Sequence, residues 1–505
     1  MASIETTPHL EGNAGATPAD GAKTEGWKPS AIAGDIATLG AGTALTAVFN
    51  TLQVFLIPRL TTVEEYGYWR LFLLYAGYVG FLHFGFADGA LLRWAGRPLE
   101  DFRHEIVPSL KFLFWQHLAL IVPGAVLAAL LLRWPLSLVG VAVLVYSVIF
   151  NSAAVLQFGL QGARLFRPVA IATAAPSCGF VVMTFLWHLR GTPNFQGLIG
   201  LYCAAWAGVL AYLWTRVGPV PGAYPRESAW RLGKTYIALG WPIVLANGGL
   251  ILVQSADRLV GSSVLPIYEF AQYSLAASTM FVPAAAILAV SRVFFSHVAA
   301  VEHEGRAKVY AHASRFLLLA WSLLLPYYFI LEVVVRHFLP KYVPALPAAR
   351  ILLLGVIFLA GIQILHMSFA NLYGRQRQFL FLTVGALVVT FSGVFGMALW
   401  LQSLVAVAIG QIGALAFWWL ANEWNLRETT GHRWKDWLRL MIVFAWSAIS
   451  YGIAMKIAGS VGMRTLIYYA LVVGCLAFAC YPEIRITWNL LSRAVPRAVI
   501  YGTRG

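Results

Sequence analysis

Apolar stretches of roughly 20 residues, each long enough to cross a bilayer, recur along this chain from Ile36 to Tyr481 with short polar breaks between them. No other feature constrains the fold as strongly. In hydrocarbon every backbone amide must be paired within its own segment or in a closed barrel, and stretches of this length suit helices rather than barrel strands. About fourteen spans are predicted, starting near Ile36, Leu71, Ser109, Leu136, Val169, Leu198, Tyr236, Ile267, Phe316, Pro347, Phe379, Leu404, Trp437 and Thr465. Only 11% of the 505 residues are charged and 60% are hydrophobic, against about 25% charged in a soluble domain. The fold class expected is therefore an all-α membrane protein.

The formal net charge of +15 raises the question of nucleic acid, and the placement of the charge answers it. With the N-terminus inside, 26 of the 36 lysines and arginines fall in segments on the cytoplasmic side, which is the positive-inside pattern of a multi-pass protein. An even number of spans returns the C-terminus to the same side, so both termini are expected in the cytoplasm and no nucleic-acid partner is needed. Residues 1–32 lack the basic-then-apolar order of a secretory signal and are expected to form a disordered cytoplasmic tail; residues 485–505 form a basic one. Cys178, Cys203, Cys475 and Cys480 all lie within apolar spans, which gives neither a disulfide framework nor a metal-ligand spacing.

Two places in the first half of the chain reappear in the second. Arg59-Leu60 followed by Glu65-Tyr66-Gly67-Tyr68-Trp69-Arg70-Leu71 pairs with Arg258-Leu259 followed by Glu269-Phe270-Ala271-Gln272-Tyr273-Ser274-Leu275. Phe158-Gly159-Leu160-Gln161-Gly162-Ala163-Arg164 pairs with Phe369-Ala370-Asn371-Leu372-Tyr373-Gly374-Arg375. Both pairs lie roughly 200 residues apart and at matching helix numbers, the trace of an internal duplication. Six spans per half is an even number, so the repeats are parallel and related by an axis along the membrane normal. The domains expected are a six-helix half over 33–216, a second over 217–425, and two additional spans over 426–484.

The stretch from Gly34 to Gly96, with its Leu-Thr-x-x-Glu-Glu-Tyr-Gly-Tyr turn and the Phe-Gly-x-x-Asp-x-x-Leu-x-Arg that runs from Phe84 to Arg93, resembles the polysaccharide transporters. That family includes the O-antigen and exopolysaccharide flippases, in the superfamily that also holds multidrug extrusion antiporters and lipid II flippases. Asp257-Arg258-Leu259 and Tyr273-Ser274-Leu275-Ala276 resemble a second element of the family. The resemblance implies a V-shaped central cavity between the halves that alternates its opening. It also implies translocation of a lipid-linked oligosaccharide, of the undecaprenyl-pyrophosphate type, across the bacterial inner membrane. Membrane lipids, a polysaccharide polymerase and export machinery are the partners this implies.

Several residues bear on such a role. Thr43, Thr46, Asn50 and Gln53 share one face of the first span, and Asn247, Gln254 and Arg258 form a stripe on the first span of the second half. Amides and hydroxyls there could replace water around glycan hydroxyls, or could simply bond between helices. A pyrophosphate in a low-dielectric cavity needs cationic donors, for which the planar fork of arginine is suited. Arg59, Arg93, Arg258 and Arg292 are the candidates, although each lies near a span end where long basic side chains snorkel. Asp88 near Arg93, and Asp257 beside Arg258, could form structural ion pairs or accept a coupling proton or sodium ion, with the structural pair favoured. His83 could titrate, as could His117, or both could be packing residues. Pro242, followed by Gly248 and Gly249, is expected to bend its helix during alternating access. No cofactor is expected.

Two other functions fit parts of the pattern. A membrane glycosyltransferase or O-antigen polymerase would carry catalytic groups on a substantial outer loop, whereas the largest such loop here, around His337 to Leu346, is short. A multidrug cation antiporter shares the two-half plan without the two extra spans. A relative that scaffolds rather than transports would look the same in sequence.

Overall fold

The computed structural model describes residues 29–219, 226–280, 298, 302–431, 434–457 and 459–477. The expected N-terminal tail up to residue 28, the basic C-terminal tail, Cys480 and Arg292 lie outside the described residues. Among those described there is no strand.

The first half comprises α1 (Pro29–Leu60), α2 (Val63–Ala76), α3 (Phe86–Trp94), α4 (Leu99–Leu131), α5 (Leu136–Gly162), α6 (Phe166–His188) and α7 (Phe195–Val217). The second comprises α8 (Arg226–Val264), α9 (Ile267–Ser278), α10 (His303–Leu324), α11 (Tyr327–Phe338), α12 (Leu346–Ala360), α13 (Met367–Leu372), α14 (Gln376–Leu401) and α15 (Leu404–Thr430). α16 (Trp434–Lys456) and α17 (Val461–Ala477) follow. Among the described residues ten helical segments are long and apolar enough to cross a membrane, and up to twelve if each of two bent pairs counts as one span. Each of the fourteen expected span starts falls in one of these helices.

The helices pack as two copies of one pattern. In the first half α1 packs on α6, α2 on α5 and α7, α4 on α5, and α5 and α6 on α7. In the second, α8 packs on α14, α9 on α12 and α15, α10 on α12, and α12 and α14 on α15. The turn after α5 and the turn after α13 are the same helix-ending motif. In the first, Leu165 N–H donates to Leu160 O and Arg164 N–H to Gln161 O; in the second, Arg375 donates to Ala370 and Gly374 to Asn371. The left-handed residues are Arg164 (φ 60°) and Gly374 (φ 68°), so the structural register is one residue off the sequence pairing of Arg164 with Arg375. Arg59 and Arg258 are likewise not equivalent. Glu65 and Glu269 are each the third residue of their helix, but Arg59 closes α1 while Arg258 lies more than a turn inside α8.

The last two helices dock on the second half. Glu332 of α11 accepts from Arg336 and from Arg464 of α17, both at 2.9 Å, and Tyr468 donates to the Ser322 carbonyl at 2.7 Å. Trp321 stacks on Phe444 of α16 at 5.0 Å.

Candidate functional site at the seam between the halves

The second span is broken. It turns through 57° between the segment ending at His83 and α3, because Phe84 (φ 50°) and Gly85 (φ 86°) both take left-handed backbone. Glycine tolerates this conformation and phenylalanine does not do so readily. The break sends α2 and α3 against different parts of the second half, and broken helices of this kind line binding sites in transporters.

At the basic end of the bundle α3 lies directly against α8. A Cβ on Gly89 would sit 1.9 Å from the Tyr236 carbonyl oxygen, and one on Gly240 would sit 1.9 Å from the Gly85 carbonyl oxygen. The contact is backbone on backbone. Beside it Glu105 of α4, 6% exposed, accepts from Trp94 Nε1 at 2.9 Å and from the Tyr236 hydroxyl, with Arg93 NH2 at 3.4 Å. Arg93 also lies over the Tyr236 ring, 5.8 Å from its centroid. One carboxylate thus ties α3 and α4 to the second half. Changing Glu105 to Ala leaves Tyr236 and Trp94 with buried donors unmet, and should cost about 3 kcal/mol. A lowered melting temperature in detergent, with Glu105→Gln intermediate, is the expected reading.

At the opposite end the seam is closed by other groups. Arg59 donates to the Phe338 carbonyl at 2.9 Å and Lys341 to the Thr61 carbonyl at 3.4 Å. Tyr66 and Tyr342 meet edge-on at 5.5 Å.

Between these closures lies a charged cluster in which Asp257 and Arg70 are buried and Arg258 is partly exposed. Asp257, 3% exposed, accepts from the Tyr273 hydroxyl at 2.7 Å and from Arg258 N–H at 2.8 Å. Each of its oxygens thus accepts one hydrogen bond, and Arg258 Nε stands 3.7 Å away, too far for a hydrogen bond. Across the seam Arg70 of α2 is 9% exposed, lies over the Tyr66 ring at 6.0 Å, and is near enough to Arg258 for the two charges to interact. Arg70 Nε, Arg258 Nε and Gln272 Nε2 have no hydrogen-bond partner among the described residues. Two guanidiniums and one carboxylate leave a net positive site with unused donors, which is what an anion requires. Tyr78 and Ser255 bond across the same seam at 2.5 Å.

The other predicted residues are dispersed. Asn50 is exposed and accepts from Ser177 at 2.9 Å and from Gln53 at 3.4 Å, while Thr46 donates to the Thr173 carbonyl at 3.1 Å. The α1 stripe is therefore bonded to α6 along one edge. Asn247 is exposed, and Gln254 is half-buried with its carbonyl accepting from Arg258 at 3.4 Å. α8 bends by 43° between Leu245 and Asn247, after Pro242. Gly248 and Gly249 there give room to Phe81 and Thr383, which a Cβ at those positions would approach to 3.2 Å.

Asp88 does not pair with Arg93. Five residues along a helix turn the chain through about 500°, which leaves the two side chains on different faces. Asp88 instead lies 3.8 Å from His83, whose Nδ1 accepts from Gly85 N–H at 3.0 Å. His117 is buried and bonded through Nε2 to Asn151 at 2.8 Å. Arg70, Glu105 and Tyr236 were not singled out from sequence. Neither was a buried trio in the second half, in which Glu423 accepts from Tyr310 at 2.5 Å and lies 2.9 Å from His366 Nε2. His366 ends a π-helical segment, Gly361–His366. The signal available was that carboxylates within spans are costly and retained for a purpose; it marked Asp88 and Asp257 but applies equally to Glu105 and Glu423.

No protein-family model and no curated protein matches the sequence. Among solved structures the chain is similar to the lipid II flippase MurJ in an inward closed conformation, with a TM-score of 0.66 and 10% identity over 89% of this chain and 100% of that one. It is also similar to an inward-facing multidrug resistance MATE family transporter of the MOP superfamily, with a TM-score of 0.61 and 13% identity over 77% of this chain and 96% of that one. At these identities what is shared is the fold: two helical bundles of the flippase and MATE type, as the sequence resemblance implied.

Proposed function

We propose that the protein is a flippase that moves a lipid-linked oligosaccharide, joined through pyrophosphate to a polyprenyl carrier, across the bacterial inner membrane by alternating access. The observation that carries this reading is the seam pair of Arg70, buried, and Arg258, partly exposed, whose Nε donors are unused and which have, among the described residues, Asp257 as the carboxylate beside them. A diphosphate supplies the missing acceptors, and arginine binds it through paired hydrogen bonds. The two closures, Glu105 with Tyr236 at the basic end and Arg59 with Phe338 at the other, are the gates whose alternate opening would carry the headgroup across. The basic end is the cytoplasmic one on this reading, and a polymerase or export machinery would take the product.

A multidrug antiporter shares the fold, but the net positive seam disfavours an organic cation. Acyl or glycosyl transfer is not required by any of the geometry. Depleting the protein from its native cell tests the proposal: the lipid-linked oligosaccharide should accumulate, facing the cytoplasm, when the protein is absent. Unchanged lipid-linked pools together with raised sensitivity to cationic drugs would point to export of drugs instead.

A further inference from the structure

A cavity lies away from the arginine pair, beside the contact between α3 and α8. It encloses about 860 Å³, within the range of ligand pockets, between the elbow of the second span, α4 and the start of α8. Phe84, Phe112, Trp115 and Leu120 form one wall and Ala229, Trp230 and Ile237 the other. Lys111 is part of the lining, and Lys234 lies 5.5 Å over the Trp230 ring. Both lysines are exposed at the basic end.

We infer that this cleft holds the polyprenyl chain of the phosphate-bearing carrier lipid, a conclusion that rests on the proposed transport reading. Three observations support it. The cleft runs along α4 from Pro108 to Leu120, about 18 Å at 1.5 Å per residue, close to the roughly 15 Å of hydrocarbon in one leaflet. Its apolar walls include Phe84, Trp115 and Trp230, which remain widely exposed and so offer surface that a chain can cover. Its basic mouth matches a phosphate drawn from the cytoplasmic leaflet. The placement selects the carrier over a bystander phospholipid. α4 belongs to the first half and α8 to the second, and a headgroup passed between the halves must leave its chain in the bilayer through such a seam. Phe84 couples the two functions, because the left-handed elbow that positions α3 against the gate also turns this ring into the cleft.

The test uses the full chain in phosphatidylethanolamine nanodiscs with a photoactivatable polyprenyl phosphate. Label should map to α4 between Pro108 and Leu120 and to the first turns of α8. Excess unlabelled polyprenyl phosphate should remove it, and phosphatidylglycerol should not. Ala119→Trp and Ala229→Trp fill the cleft without deleting a group and should lower labelling by about tenfold. Label mapping elsewhere, or equal competition by phosphatidylglycerol, overturns the inference without any variant being needed. Transport measured in parallel separates the two ideas. A labelled cleft in a protein that moves no lipid-linked sugar sinks the transport reading, whereas transport with no label in the cleft sinks this one alone.

Discussion

Arg258→Ala and Arg70→Ala each slow translocation by about 30-fold or more in a proteoliposome assay with a pyrophosphate-linked oligosaccharide. That figure follows from the 2–5 kcal/mol typical of truncating one member of a buried charged contact. The two changes should not be additive, because both guanidiniums act on one anion and share the field of Asp257. Lysine at either position should restore only part of the rate, since it keeps the charge but loses the planar fork. The readout that separates binding from folding is salt and phosphate competition. Inorganic pyrophosphate should protect the wild type from thermal unfolding and fail to protect either alanine variant. Arg59→Ala is the internal comparison, because Arg59 already donates to the Phe338 carbonyl and closes a gate rather than meeting the substrate. Equal loss in Arg59→Ala, with pyrophosphate protection intact in Arg70→Ala, would remove the anion site from the account.

Gly89→Ala shifts the protein toward conformers with the basic end parted. The new Cβ would lie 1.9 Å from a backbone oxygen of α8, and backbone cannot yield as a flexible side chain can. Overpacking of this sort costs about 1–3 kcal/mol. If it falls only on the closed state, the ratio of closed to open changes by about 5- to 150-fold. Spin labels at exposed Arg164, on the turn after α5, and Arg377, in the first turn of α14, should report a longer distance at that end. Gly240→Ala should do the same, because its Cβ meets the Gly85 carbonyl. Gly413→Ala, whose Cβ would point into open space, should leave the distances unchanged. Identical distance distributions in all three variants would show that the glycine contact does not hold the gate.

The elements of the fold were legible for a local reason. A bilayer of fixed thickness forces each crossing to announce itself as about 20 apolar residues, and each of the fourteen starts read from hydropathy meets the helical framework. Capping is equally local but was not singled out from the sequence: Thr62, three residues before Glu65, caps α2 by accepting from the Glu65 N–H at 3.2 Å. The duplicated turns were visible, although one pairing was displaced by a residue, because sequence alignment follows side chains whereas the turn is set by which residue takes positive φ.

The candidate site was legible only in part. Asp257 and Arg258 are adjacent in sequence, so their association could be read directly. Arg70 appeared in the repeated motif, yet nothing in the chain says that it faces Arg258 across the bundle. Glu105 and Tyr236 are 131 residues apart and His366 and Glu423 are 57 apart, and spans of that separation can neighbour one another in many ways.

Sequence alone determined that this is a multi-pass helical membrane protein, which of its ends is basic, and that its two halves are built alike, because hydrophobic length, charge placement and repetition are properties of segments. The tertiary structure alone decided which polar groups meet. A guanidinium near a span end snorkels, bonds a carbonyl or waits unpaired for an anion according to what the neighbouring helix places beside it. That choice depends on packing at the seam, where glycines bring two backbones together and a left-handed elbow redirects a helix.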